Sequence, residues 1–123
     1  MSSKEGKDWI RDRVEELAAE HPVSVLDIGP GVGTYAKLLS DVRTSRVSAI
    51  EIYEPYVHTY RLRDYYDEIV IGDARETELP ACDVVILGDV AEHMTAEAAL
   101  DLWERSATAA RRGKSAGCRG CRH

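Results

Sequence analysis

Short apolar runs alternate along this chain with stretches in which apolar residues recur at helical spacing. The runs lie within residues 25–28, 47–53, 68–74 and 82–88, and they are rich in valine and isoleucine. Continuous apolar runs of this length are typical of parallel strands that are covered on both faces. The pattern therefore predicts four buried strands.

A helix is predicted before the first strand and after each of the first two. In the first helix, residues 4–20, the apolar face is formed by Ile10, Val14 and Leu17 at positions i, i+4 and i+7. The next two helices are predicted at residues 34–42 and 55–65. Five tyrosines between residues 53 and 66 fit amphipathic packing better than a stacking platform for bases.

The last predicted helix follows the fourth strand. It begins after Thr95, a candidate N-cap, and continues to about residue 112, with Leu100 and Trp103 facing inward. The alternation of strands and helices predicts an α/β fold with a parallel sheet.

The first strand is followed by a loop that has glycine at every second position. Asp27 stands near the end of the strand, and Gly29, Gly31 and Gly33 precede the next helix. Glycine lets a backbone turn sharply and approach a ligand closely because it has no Cβ. The start of the helix also offers unpaired N–H groups. The loop therefore predicts a binding site for a nucleotide-like cofactor.

Two other glycine-rich loops bind nucleotides and must be compared with this one. A P-loop would end in Gly-Lys-Ser/Thr, whereas this loop ends in Gly33 and Thr34 without a lysine. A dinucleotide loop can be matched by Gly31, Gly33 and Ala36, but Asp27 would repel an approaching pyrophosphate. That carboxylate suits a cationic or zwitterionic ligand better. A nicotinamide-dinucleotide-binding module stays as an alternative.

The loop resembles motif I of the class I S-adenosylmethionine (SAM) dependent methyltransferases. The acidic-x-Gly-x-Gly-x-Gly pattern of that motif is matched by Asp27, Gly29, Gly31 and Gly33. The resemblance implies a Rossmann-like three-layer sandwich, with a parallel sheet and helices on both faces. It also implies SAM as cofactor, with Asp27 and the loop backbone at its amino-acid end.

The ends of the second and third strands continue the resemblance. In the family, an acidic residue after the second strand accepts hydrogen bonds from both ribose hydroxyls, and Glu51 matches it, with Ile52 beside the adenine. Asp73 and Ala74 end the third strand, and the resemblance assigns them to the adenine amino group and the ring. Ligands of open parallel sheets bind outside the carboxyl ends of the strands, where all these residues fall.

The fourth strand leads into Gly88 and Asp89, with Glu92 and His93 shortly after. This ending resembles the Asp-x-x-Glu-His signature of many small-molecule methyltransferases and implies that the methyl acceptor approaches here. We expect Gly88 and Asp89 to contact the cofactor, although a helix-capping role for Asp89 is equally open. His93 is a candidate catalytic base, since an imidazole titrates near neutrality; the alternative is a residue that shapes the pocket.

The implied function is methyl transfer from SAM to a small-molecule acceptor, with S-adenosylhomocysteine as the second product. The net charge of −6 argues against nonspecific nucleic-acid binding. No apolar run approaches the length of a membrane span, and the polar residues 1–7 do not form a secretory signal. Three cysteines without such a signal suit a reducing compartment. We therefore expect a cytoplasmic protein with neither nucleic-acid nor membrane partners.

The end of the chain differs in composition from the rest. Residues 1–112 are expected to form the cofactor-binding domain, and the basic, glycine-containing residues 113–123 a disordered tail. Cys118, Cys121 and His123 place three metal-ligand types close together, but a closed zinc site needs a fourth ligand. We expect no metal site.

Only four of the seven strands typical of class I methyltransferases can be recognised in the sequence. The C-terminal strands are therefore expected to be lacking, which would leave the fourth strand as an apolar edge available for self-association. A truncated or frame-shifted product, a fragment, and a SAM-binding half-domain that needs a partner stay open as explanations.

Overall fold

The chain forms a four-stranded sheet with helices on both faces. A computed structural model describes residues 4–87 and 94–121, including the side chains of residues 6–87 and 94–113. In chain order, the elements are α1 (Lys4–Ala18), β1 (Val23–Ile28), α2 (Thr34–Leu38), β2 (Thr44–Glu51), α3 (Glu54–Thr59), a 3₁₀ turn (Leu62–Asp64), β3 (Glu68–Ile71), β4 (Val84–Leu87) and α4 (Ala96–Cys121).

All strand pairs are parallel, and the strand order is β3-β2-β1-β4. Asp27 of β1 lies level with Ala49 of β2 on one side and with Ile86 of β4 on the other. The sheet therefore places the carboxyl ends of β1 and β2 side by side. This topology confirms the predicted Rossmann-like α/β fold class.

Two aspartates fix the outer strands on their neighbours. Asp83 precedes β4 and donates its N–H to the Ser24 carbonyl oxygen at 3.0 Å, while its Oδ2 accepts from the N–H of Ser24 at 2.9 Å. Asp67 precedes β3 and pairs with Val47 in the same way, with both distances 2.7 Å. Because each carboxylate accepts from a backbone N–H, these pairs hold the register at the amino ends of β3 and β4.

Hydrophobic clusters cover both faces of the sheet, two on one face and one on the other. Val25 and Ala49 point to the face covered by α1, α2 and α3, whereas Leu26, Ile28 and Ile50 point to the face covered by α4. This alternation follows from the two-residue period of a strand. Two covered faces confirm the three-layer arrangement.

The buried faces of α1 and α4 differ from the predicted ones. Leu17 is 37% exposed, and Ala18 is buried beside Val14 instead. In α4, Leu100 and Trp103 are exposed, so their predicted inward orientation is wrong. The core of α4 is formed by Leu102, Ser106, Ala109 and Gly113. These residues recur at i, i+4, i+7 and i+11, a stripe of mostly small side chains that lets the helix approach the sheet closely.

The predicted helix 55–65 is interrupted. The α-helix α3 ends at Thr59, Arg61 adopts a left-handed conformation (φ 52°), and the 3₁₀ turn follows. The break brings Leu62 and Tyr66 into the core, where both are buried. Of the five tyrosines in this region, Tyr66 packs in the core as expected, whereas those at 53, 56 and 65 are exposed.

The edge strand β3 is less covered than the sequence predicted. Val70 and Ile71 are each more than one third exposed. An apolar run at this edge of the sheet therefore does not imply cover on both faces.

The helix α4 continues to Cys121, beyond its predicted end near residue 112. The chain has no proline after residue 80 that would stop the helix. Gly113 is buried against the carbonyl group of Cys82: a Cβ at Gly113 would lie 1.8 Å from that oxygen. The packed part of the chain thus includes residue 113, whereas the side chains of Cys118 and Cys121, and all of His123, lie outside the described part. No helix within residues 4–87 and 94–121 combines the length and the apolar character needed to cross a membrane.

Candidate functional site

The loop after β1 requires glycine at three positions. Gly29, Gly31 and Gly33 have φ angles of 71°, 57° and 84°, in a region that residues with a Cβ rarely adopt. Gly33 also packs closely on Leu62, since a Cβ there would lie 3.1 Å from Leu62 Cδ2. The alternate glycines therefore form a tight turn that leads from β1 into α2.

Glu51 lies beneath this loop at the end of β2. Its side chain is buried, Oε1 accepts a hydrogen bond from the Gly31 N–H at 3.2 Å, and Oε2 accepts one from the Tyr53 N–H at 2.9 Å. One carboxylate thus connects the glycine loop to the turn after β2. Each oxygen keeps a further lone pair that can accept a hydrogen bond.

Asp27 lies on the same face of the sheet and is more deeply buried. The residue is 1% exposed, and its Oδ2 accepts a hydrogen bond from the Tyr66 hydroxyl at 2.5 Å. Oδ1 is buried and has no partner among the described residues. Because an unsatisfied buried acceptor costs about 1–3 kcal/mol, Oδ1 marks a position where a donor group would be stabilised.

The electrostatics of this pair follow from its burial. Burial raises the pKa of Asp27 to about 6; the hydrogen bond from Tyr66 opposes the rise, and the neighbouring Glu51 carboxylate adds to it. The pKa of Tyr66 is also raised, first by burial and then by the Asp27 charge, so the phenol remains a hydrogen-bond donor. Two carboxylates beneath one loop favour a cationic ligand.

A separate cavity of about 250 Å³ opens on the α4 face of the sheet, at the carboxyl ends of β1, β2 and β3. It is lined mostly by apolar side chains and small residues: Ile28, Gly29, Ile50, Ile52, Gly72, Asp73, Ala74, Arg75 and Met94. Four predicted cofactor residues, Gly29, Ile52, Asp73 and Ala74, meet in this cavity. Asp27, Glu51, Gly31 and Gly33 do not line it and lie at the adjoining glycine loop.

Asp73, at one side of the cavity, is engaged by its neighbour Arg75. The guanidinium Nε is 3.0 Å from both Asp73 oxygens, Nη2 is 2.5 Å from Oδ2, and the Arg75 N–H is 2.9 Å from Oδ1. These hydrogen bonds lower the pKa of Asp73. The carboxylate is therefore ionised and already has four donor contacts.

Two arginines of α4 hold the loop that carries Asp73. The Arg105 guanidinium donates to the carbonyl oxygens of Ala74 at 2.8 Å, of Arg75 at 3.1 Å and of Thr77. Arg112 donates to the carbonyl oxygen of Leu79 at 2.7 Å. The packing of α4 thus determines where this side of the cavity lies.

Four residues that the sequence singles out lie outside the described part of the chain: Gly88, Asp89, Glu92 and His93. Their roles stay predictions. Sequence reasoning missed Tyr66, Arg75 and Arg105. The tyrosine pattern predicts packing for Tyr66 as for the other tyrosines, and its place two residues before β3 is the one signal that sets it apart. The part of the chain that the structure describes contains no cluster of three or more His, Cys, Asp or Glu residues that could hold a metal ion.

Comparison with known proteins identifies a protein family that this chain matches. A family model described as a methyltransferase domain matches residues 26–114, which is more than half of the chain. The match includes the glycine loop, Glu51, Asp73 and most of α4. No curated protein matches the chain in a sequence comparison.

Solved structures share the fold. Magnesium protoporphyrin IX methyltransferase from Synechocystis PCC 6803, with bound SAM, has a TM-score of 0.69 and 20% identity, over 85% of this chain and 52% of that one. A SAM-bound amino pentose methyltransferase from Micromonospora echinaspora has a TM-score of 0.62 and 20% identity, over 92% and 47%. The PH0226 protein from Pyrococcus horikoshii OT3 is 27% identical, with a TM-score of 0.57, over 84% and 52%. The chain spans about half the length of these proteins.

Proposed function

The chain belongs to the family of methyltransferase domains, and on that premise we propose that it binds SAM and contributes to methyl transfer to a small-molecule acceptor. The observation that carries the proposal is the pairing of a positive-φ glycine loop with two buried carboxylates, Asp27 and Glu51, at the ends of adjacent parallel strands. Ligands of such sheets bind at this edge.

The residues of the site are compatible with the parts of SAM. The unpartnered Oδ1 of Asp27 suits the ammonium group of the methionyl end, and the free lone pairs of Glu51 suit the ribose hydroxyls. The apolar cavity beside Ile52, Asp73 and Ala74 suits the adenine ring. The negative charge of the carboxylates also suits a cationic sulfonium.

SAM, when bound, supplies a methyl group that is already activated by the positive sulfur. The work of the chain is then to bind and orient the cofactor, and most of the catalytic gain comes from alignment of donor and acceptor. The carbonyl contacts of Arg105 and the hydrogen bonds of Glu51 serve this purpose by fixing two sides of the site. We keep Gly88 and Asp89 as predicted cofactor contacts and His93 as a predicted base in the acceptor region.

A small-molecule acceptor is favoured by the structural neighbours, two of which are named for an amino pentose and a magnesium porphyrin. Amino sugars and porphyrins are therefore the first acceptor classes to assay. A cytoplasmic location stays part of the proposal.

A second candidate function is SAM binding without catalysis by these residues alone. It is supported by the length of the chain, which is about half that of the neighbours, and by the position of β4 at an edge of the described sheet. In that case a partner, further strands or self-association through β4 would complete the substrate site.

The cofactor assignment is tested by calorimetric titration with SAM, S-adenosylhomocysteine and, as the alternative, NAD. We expect saturable binding of the first two and loss of at least tenfold in affinity in Glu51→Gln, because the substitution removes the charge and replaces one of the two acceptor oxygens by an amide donor. Glu104→Gln, on an exposed part of α4, is the matched control and should bind normally. Binding of NAD but not SAM would contradict the proposal.

Methyl transfer needs a separate assay. Incubation with methyl-labelled SAM and a panel of amino sugars and porphyrins should label an acceptor if the chain is catalytically competent. SAM binding without labelling of any compound in the panel would favour the binding-only alternative.

A further inference from the structure

Within the part of the chain that the structure describes, only one oxygen of the Asp27 carboxylate, Oδ2, has a hydrogen-bond partner, and that partner is Tyr66. We infer that Tyr66 is a positioning residue of the cofactor site: its hydroxyl holds Oδ2 of Asp27, which leaves Oδ1 to accept a hydrogen bond from the ammonium group of SAM. This inference rests on the proposed function, because it concerns the same ligand.

Tyr66 is held rigidly enough for this role. Its N–H donates to the carbonyl oxygen of Leu62 at 3.0 Å, and the next residue, Asp67, is paired with Val47 of β2. The Tyr66 side chain packs in the cluster that contains Leu62 and Ala49. Backbone pairing and packing therefore fix the phenol from both sides and determine the orientation of the hydroxyl.

The hydrogen bond also affects the charge of Asp27. Among the described residues, the ionisable groups that act on the Asp27 pKa are Tyr66, which lowers it, and Glu51, which raises it. Because an ammonium group needs an ionised partner, loss of the hydroxyl should shift the pH dependence of SAM binding to higher pH. A residue that only fills space would have no such effect.

The test compares wild type with Tyr66→Phe, which removes one oxygen atom and keeps the ring. Binding is measured between pH 5 and pH 7.5 with two ligands, SAM and 5′-methylthioadenosine, which lacks the amino-acid end. We expect Tyr66→Phe to bind SAM about two- to tenfold more weakly at pH 7, which corresponds to the usual net contribution of a single hydrogen bond. The half-point of the pH profile should move upward, and the affinity for 5′-methylthioadenosine should stay unchanged.

Tyr60→Phe is the matched control, because Tyr60 packs against the same cluster and has no contact with Asp27. It should leave both affinities and the pH profile unchanged. Equal weakening of the two ligands by Tyr66→Phe, or an unshifted pH profile, would overturn the inference and assign Tyr66 to packing alone.

A double-variant comparison tests separately whether Tyr66 acts through Asp27. Asp27→Asn and Asp27→Asn/Tyr66→Phe both lack the buried charge, so the second substitution should not change SAM affinity further if Tyr66 acts through Asp27. A further loss in the double variant would overturn the inference. Normal SAM binding by Asp27→Asn would refute both this inference and the role of Asp27 in the proposed function. Absence of SAM binding by wild type would refute the proposed function directly.

Discussion

The burial of Asp27 predicts that this carboxylate reduces the stability of the fold at neutral pH. Its pKa of about 6 in the folded protein lies above the ordinary value of 3.8 for an aspartate side chain. The folded state therefore holds the proton more tightly than the unfolded chain. The stabilisation from the raised pKa is complete below pH 3.8 and is lost as the pH rises through about 6.

The magnitude follows from the difference between the two pKa values. A difference of about two units corresponds to about 3 kcal/mol, since each unit is 1.36 kcal/mol. Asp27→Asn keeps the shape of the side chain but removes the titration. The free energy of unfolding of the variant minus that of wild type should therefore increase as the pH rises. The increase should be about 3 kcal/mol over the whole titration of Asp27 and about 1.4 kcal/mol between pH 5 and pH 8.

Urea unfolding followed by circular dichroism at pH 5, 6, 7 and 8, at constant ionic strength, measures this difference. The unpaired amide N–H groups of the asparagine add a penalty, but that penalty is the same at each pH and does not change the slope. Glu104→Gln serves as the exposed control. A difference between variant and wild type that stays flat from pH 5 to pH 8 would refute the reasoning.

Three further predictions concern packing, strand register and the cavity. Gly113→Ala should lower the free energy of unfolding by about 1–3 kcal/mol, because the Cβ of the alanine would overlap the Cys82 carbonyl. A rise in the thermal midpoint, which is the usual result of Gly→Ala in a helix, would contradict this prediction. Asp83→Ala should lower the free energy of unfolding, measured with urea, by about 1.5–3 kcal/mol, because the N–H and hydroxyl of Ser24 lose a charged acceptor. An unchanged urea midpoint would show that β4 is held by other contacts. Arg75→Gln should strengthen SAM binding about threefold in calorimetry, because Asp73 is released from an exposed ion pair; weaker binding would indicate that Arg75 orients Asp73 for the ligand.

Much of the fold was predictable from the sequence because its signals are local. The four strands and the glycine loop depend on residues adjacent in the chain: a strand needs a short apolar run, and a left-handed turn needs glycine. Thr95 caps α4 as predicted, with its hydroxyl accepting from the Ala98 N–H at 3.1 Å. The four strands were therefore found in the right order, although β2 and β3 end at Glu51 and Ile71, before their predicted ends at residues 53 and 74.

The inward face of α4 could not be predicted in the same way. Leu100, Leu102 and Trp103 are the large apolar residues of its first half, yet of these three only Leu102 is buried in the core, together with Ala109. Further along the helix, Gly113 abuts the Cys82 backbone, and a side chain would not fit at that position. Steric fit decided the orientation, and hydrophobicity alone did not.

By itself, the sequence determined the α/β class, the parallel strands and the resemblance of the glycine loop to motif I of SAM-dependent methyltransferases. Only the tertiary structure brought the Tyr66 hydroxyl to Asp27, 39 positions earlier in the chain, and the Arg105 guanidinium to the carbonyls of the loop after β3. Apolar periodicity and local backbone conformation are determined by residues that are neighbours in the sequence. A hydrogen bond between distant residues depends on how the elements pack, and at this site packing also sets the charge and the free oxygen of Asp27.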